Sequence, residues 1–445
     1  MEYGKGSTLS RVGPFCERDF IFSTIYPVRR PLYMILLYID PGTGSMLFTI
    51  LIGVVSAGLY ALRALIIKAK FLFLGGRQEK QSEDRLPFVI FTDSKRYWNT
   101  FGPICREFEK RGEKIWYYTA SPDDPALKEK FEHVTCEFIG EGNLAFARMN
   151  MVKADIVLSS TPSLDVYQWK RSRDASYYVH ILHACNDPVT YRMYGLDYYD
   201  AVLLSGAYQI DQLRWREHSR QMPEKELVIA GLPYMDELQK RLLAAPPLEK
   251  AHPVTVLLAP SWGANSILSR YGGTILDALL ATGYHIIVRP HPQSYTSDKQ
   301  MLDELMRAYP AGESLEWNSD NDNFDVLRRS DIMISDFSGV IIDYTLIFDK
   351  PILYADTSFD RSALDCWDME EELWTFQVLP KIGRQLTKET LPDLKQLIDT
   401  CITDPSFQKA RDEARDETWQ GRGEGTKRTV DYLIAKRQAL LEQSL

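Results

Sequence analysis

The strongest constraint on this chain is a repeated pattern of short apolar runs that end in turn residues and alternate with helical stretches. "PFVIFTDS" (Pro87–Ser94), "KIWYYTA" (Lys114–Ala120), "ADIVLSST" (Ala154–Thr161), "SYYVHILHA" (Ser176–Ala184), "DAVLLSG" (Asp200–Gly206) and "ELVIAG" (Glu226–Gly231) form one series. Runs that are apolar at nearly every position predict strands buried on both faces, as in a parallel sheet covered by helices. A proline-rich joint, "AAPPLEKAHP" (Ala244–Pro253), interrupts the pattern. A second series then begins with "VTVLLAPS" (Val254–Ser261), "YHIIVRPHP" (Tyr284–Pro292), "SDIMISD" (Ser330–Asp336) and "KPILYAD" (Lys350–Asp356). The expected fold class is α/β, with two Rossmann-like domains facing each other over residues 84–245 and 252–400. A helical segment is expected over 401–445.

Ahead of the first strand lies a stretch of another kind. "SMLFTILIGVVSAGLYALRALII" (Ser45–Ile67) is 23 residues long and carries one charge, Arg63. At about 1.5 Å per residue it can cross a hydrocarbon core of roughly 30 Å. It exceeds the apolar core of a typical cleaved signal, so it reads as a retained N-terminal transmembrane helix inside a 34–75 anchor. Arg63, Lys68, Lys70, Arg77 and Lys80 crowd its C-terminal flank, whereas Arg29 and Arg30 lie further off on the other side. The positive-inside rule then makes this a single-pass cell-membrane protein with its catalytic part in the cytoplasm. "YIDPGTGS" (Tyr38–Ser45) reads as a turn capping the span. Residues 1–33 show little pattern, and Met34 is a second candidate start.

A formal net charge of −9 argues against nucleic acid as the main partner, because phosphate binding needs a basic face. The six cysteines are scattered without a C-x-x-C pair, which fits reduced thiols better than a zinc site or a disulfide framework. H-E-x-x-H and Walker motifs are missing, so neither a metal nor a cofactor is implied.

Ligands of open α/β sheets bind beyond the carboxyl ends of the strands. Arg289-Pro290-His291-Pro292 stands at such an end, and its prolines stiffen the turn that carries the cation and the imidazole. His180 and His183 lie in "YYVHILHACNDP", with His183 nearer the strand end; on a strand the pair points to opposite faces. In "SDFSGVIIDYTLIFDKPILYAD" a buried strand ends at Ser335-Asp336, and Ser338-Gly339 open an apolar helix with Asp343 one turn in. Asp336 or Ser338 can cap that helix, and its free N–H groups suit a phosphate. Asp343 would take a hydroxyl or amine of the ligand. Ser261 and Trp262 in "LLAPSWGANS" end another strand, and Trp262 suits the wall of a nucleotide or polyol pocket.

Taken together, "RPHP", "SDFSGVIIDYTLIFDKPILYA", "LAPSW" and "AGLPYMDEL" resemble the CDP-glycerol glycerophosphotransferase family, across roughly residues 175–360. The resemblance implies a GT-B fold, a CDP-activated polyol donor in the cleft, and transfer of glycerol phosphate to an acceptor hydroxyl with release of CMP. It carries the general-base role onto His183 by the position of Leu182-His183-Ala184-Cys185. It sets His291 and Arg289 near the pyrophosphate, and Ser338, Gly339 and Asp343 at the donor. It further implies a lipid-linked or polymer acceptor at the inner leaflet, in teichoic-acid-type synthesis. Several positions depart from the family pattern: Leu182-His183-Ala184-Cys185 stands where it has W-H-G-T, Gly339 where it has a second serine, and Gly263 and Tyr234 where it has arginines. Those losses keep two other readings open. One is a nucleotide-sugar glycosyltransferase of the same fold, and the other is a catalytically inactive envelope-assembly scaffold.

Overall fold

The computed structural model describes residues 85–248, 252–320 and 322–443, together with residues 54, 55, 58 and 62. The expected span Ser45–Ile67 therefore lies outside the described residues, apart from four of its positions. Among the described residues no helix is long and apolar enough to cross a membrane.

Seven strands build the first sheet: β1 (Leu86–Thr92), β2 (Ile115–Thr119), β3 (Val134–Phe138), β4 (Ala154–Ser159), β5 (Ala175–Ile181), β6 (Ala201–Leu204) and β7 (Glu226–Ile229). Their spatial order is β3-β2-β1-β4-β5-β6-β7, and every pairing is parallel. The second sheet comprises β8 (Thr255–Leu258), β9 (His285–Val288), β10 (Leu315–Trp317), β11 (Ile332–Ser335), β12 (Ile352–Ala355) and β13 (Gly383–Leu386). Its order is β10-β9-β8-β11-β12-β13, again all parallel. Each sheet thus reverses direction beside its first strand, between β1 and β4 and between β8 and β11. Such a switch point opens a crevice at the carboxyl ends.

The apolar runs are continuous because both faces are covered. Along β1, Phe88 and Ile90 pack with Phe108 and Tyr117 on one side, while Val89 and Phe91 join Val157 and Tyr178 on the other. The second of these cores continues into the other domain through Leu257, Met333 and Ile341. The last helix, Gly425–Gln443, does not stand apart. It returns to the first sheet, where Val430 and Leu433 enter the core and Arg437 pairs with Asp155. Helix Ser406–Thr418, by contrast, packs on the second domain's helices Val340–Ile347 and Trp374–Ile382.

Candidate active site

At the carboxyl edge of the first sheet, β1 runs into a short 3-10 turn, Lys95–Tyr97. Ser94 caps it, accepting from the Arg96 backbone N–H at 3.4 Å and from its Nε at 3.3 Å. Tyr97 then meets His183 edge-on, with ring centroids 5.0 Å apart. β5 ends at Ile181, so strand alternation no longer governs His183. The opposite-face expectation fails for that reason: His180 Nε2 and His183 Nδ1 both reach the Tyr191 hydroxyl, at 3.2 and 3.3 Å. A hydroxyl has one proton, so Tyr191 donates to one imidazole and accepts from the other. Burial and the nearby Arg96 guanidinium hold His183 down to about 4, and it is neutral at pH 7.

Across from it, β9 delivers Arg289 and His291. The His291 Nδ1 accepts the Gln293 backbone N–H at 3.0 Å, which leaves the ring proton on Nε2. Burial and Arg96 bring its pKa down to about 4 as well. His291 therefore offers a neutral N–H donor and no charge of its own. Trp262 is exposed beside it, with ring centroids 6.4 Å apart. Arg289 turns toward the neighbouring strand end, where it donates to the Asn318 side chain and, at 2.7 Å, to the Asp320 carbonyl. Buried Pro290 locks the turn between them.

Helix Val340–Ile347 starts at Gly339 without a side-chain cap. Neither proposed cap serves it. Asp336 is buried and faces away, accepting the backbone N–H of Ser261 at 2.9 Å and of Ile267 at 2.9 Å. Those two bonds fix the Ser261–Trp262 loop. A side chain at Gly339 would meet nothing within 4 Å, so this helix start opens onto free space beside Ser338. Asp343, one turn in, is buried and takes the Tyr234 hydroxyl of the first domain at 3.1 Å. Burial pushes its carboxyl up to about 7. Its acceptor capacity is thus directed to a domain contact and away from the open helix start.

His183 and His291 share one cationic neighbour that the sequence reading missed, and Trp262 stands beside His291. Arg96 is exposed on its turn and lies close enough to lower both imidazoles. Asp187 was missed too: it accepts the backbone N–H groups of Trp374 at 2.8 Å and Thr375 at 3.0 Å, capping a helix of the other domain. An Asp-x-Asp triplet, Asp320-Asn321-Asp322, also escaped notice. Asp322 pairs with Arg241 and Asp320 accepts from Asn318, and no acidic, histidine or cysteine cluster among the described residues is arranged to hold a metal. Gly263, where the family pattern has arginine, sits at φ +87°, a conformation that disfavours any L side chain.

Residues 194–367 match the family model of CDP-Glycerol:Poly(glycerophosphate) glycerophosphotransferase. No curated protein sequence matches the chain. Among solved structures, it is similar to the UDP-GlcNAc 2-epimerase of Methanocaldococcus jannaschii in complex with UDP-GlcNAc and UDP. That match has 13% identity and TM-score 0.52, and covers 79% of this chain and 100% of that one. The UDP-N-acetylglucosamine 2-epimerase of Rickettsia bellii gives 13% identity and TM-score 0.52, over 80% and 98% of the two chains. The Neisseria meningitidis UDP-GlcNAc 2-epimerase bound to UDP-GlcNAc gives 14% and 0.50, over 79% and 100%. At such identities these likenesses establish the fold, two parallel-sheet Rossmann-like domains of GT-B type.

Proposed function

We propose that this enzyme, CDP-glycerol glycerophosphotransferase-like over residues 194–367, moves glycerol phosphate or a related polyol phosphate from a CDP-activated donor to an acceptor hydroxyl and releases CMP. We place it at the inner face of the cell membrane, anchored by Ser45–Ile67, in the synthesis of a cell-envelope polymer on a lipid-linked or polymeric acceptor.

The observation that carries this reading is the pair of imidazoles at the two strand ends, His183 held by Tyr191 and His291 by the Gln293 N–H, both kept neutral by burial and by Arg96. In the proposed step the acceptor oxygen attacks the phosphorus that bears the polyol. The bond from that phosphorus to the bridging oxygen breaks, CMP leaves, and the acceptor proton passes to His183 Nε2. Tyr191 holds the opposite nitrogen of that ring. Charge grows on the phosphoryl and leaving oxygens, where Arg96, the His291 N–H and the free N–H groups at Gly339 can meet it. An anionic donor beside His183 raises its basicity toward the value a general base needs near neutral pH.

The test offers the full chain CDP-glycerol, CDP-ribitol and UDP-sugars with a membrane extract and measures the nucleotide released. CMP release that vanishes in His183→Ala and His291→Ala supports the proposal and identifies the donor. UDP release transfers the protein to the glycosyltransferase reading. A folded chain that turns over no donor with a competent acceptor is a scaffold.

A further inference from the structure

A cavity of about 320 Å³ opens at the carboxyl ends of β11, β12 and β13. Phe337, Tyr354 and Phe376 supply its apolar walls, and Asp356, Thr357 and Gln385 its polar rim. We propose that it is a subsite for the neutral, hydroxyl-rich part of a substrate, a polyol chain or sugar ring; this rests on the transferase reading above and assigns the donor's polyol to this side of the cleft.

Charge decides first against a phosphate. The charged lining residues are Asp336 and Asp356, and no lysine or arginine lines the cavity. An anionic group would be repelled there and would lose its hydration without a partner. Hydroxyl groups suit the rim better. Asp356 takes the Tyr271 hydroxyl on one oxygen, which orients the carboxylate and leaves acceptor capacity on the other. The Thr357 hydroxyl is buried without a hydrogen-bond partner. A buried donor without a partner is destabilising, so a ligand hydroxyl there is favoured.

The walls suit the C–H edges of a polyol: Phe337 and Phe376 both pack on Phe359, at 62° and 49°, and Leu379 and Pro380 complete the apolar side.

Position completes the argument. Phe337 directly precedes Ser338, so the cavity adjoins the open start of helix Val340–Ile347. Arg289 and Asn318 directly follow β9 and β10, on the far side of the switch between β8 and β11. At about 4.8 Å per strand, β9 and β12 are roughly 14 Å apart, a span an extended nucleoside diphosphate polyol can bridge. The phosphates would then lie over the switch, with the nucleoside toward β9 and β10 and the polyol in the cavity.

Saturation-transfer NMR on the full chain in detergent micelles tests this with free ribitol, glycerol and CMP as probes. Transfer to ribitol or glycerol should fall at least threefold in Gln385→Leu and in Thr357→Val, while transfer to CMP stays within error. No transfer to either polyol in the wild type, or polyol signals unchanged in both variants, overturns the assignment. Loss of the CMP signal instead would make the cavity a nucleoside site. Because free polyols are the probes, a failure here is distinct from failure to release CMP from any donor.

Discussion

Tyr234 of the first domain donates its hydroxyl to the buried Asp343 of the second at 3.1 Å, so a titratable carboxyl is part of the domain contact. Burial raises that carboxyl from 3.8 to about 7. A raised folded-state value means the folded chain holds the proton more tightly. The stability it contributes is complete below about 3.8 and is lost as pH rises through about 7. Asp343→Asn removes this dependence. Its stability relative to wild type should grow between pH 4 and 7 and level off above, with a ceiling of about 4 kcal/mol. Urea unfolding at several pH values measures it, and a difference independent of pH would contradict the assignment.

The two imidazoles give the opposite slope. His183 and His291 titrate near 4 instead of 6.5. A depressed histidine contributes stability that is present above 6.5 and lost as pH falls through 4. Each removes at most about 3 kcal/mol over that window. In the Asp343→Asn background, where the opposing carboxyl is gone, unfolding midpoints should fall monotonically from pH 7 to 4. Adding His291→Gln should halve the slope.

Catalysis carries its own pH signature. A general base works only when deprotonated, so kcat/KM should lose its acid limb near pH 4 in the free enzyme. His183→Ala should cost 10²–10⁴-fold in kcat, roughly what a positioned base contributes. Tyr191→Phe keeps the ring and removes the hydroxyl that joins His180 to His183. We expect a loss of about tenfold, in line with one hydrogen bond. Equal activity of Tyr191→Phe and wild type would show that this hydroxyl does not orient the base.

Arg96 is the sharpest case for mutation, because it perturbs both imidazoles from an exposed turn. Arg96→Ala should raise both histidine pKa values, read from imidazole proton shifts across a titration. It should also lower kcat/KM about 100-fold, the scale of one lost oxyanion partner. Lysine at this position should restore part of both effects. Titrations that do not move would place Arg96 outside the cleft.

Asp187 links the domains through backbone donors. Both its oxygens serve helix Trp374–Ile382, and Gln212 donates to it as well at 2.5 Å. Asp187→Ala leaves these buried donors unpaired and should cost about 2–4 kcal/mol, with asparagine in between. Thermal unfolding decides it.

The α/β architecture was legible because burial on both faces leaves a compositional trace. Phe88 through Phe91 are apolar in succession since successive side chains enter different cores. The site was only partly legible. His183 and His291 stand at strand ends, where local pattern and topology coincide. Asp336 looked like a cap for the helix just after it, yet the backbone N–H groups of Ser261 and Ile267 claim it from far away in the chain. Asp187 capping Trp374 has no local signal for the same reason. Arg96 sits on an exposed turn and looks like any surface arginine until the fold brings its charge within reach of two histidines.

The return of the final helix to the first sheet has a mechanical consequence. The polypeptide passes between the domains twice, once in the joint after Ala244 and again between Thr418 and Gly425, where Asp236 receives the backbone N–H groups of Gly423 and Gly425 at 2.8 Å. Two tethers leave a pair of bodies one easy degree of freedom, rotation about the line through both crossings. Breathing of the cleft is thereby confined to a single jaw-like swing, and a protease nick in the proline-rich joint would leave the halves still tied.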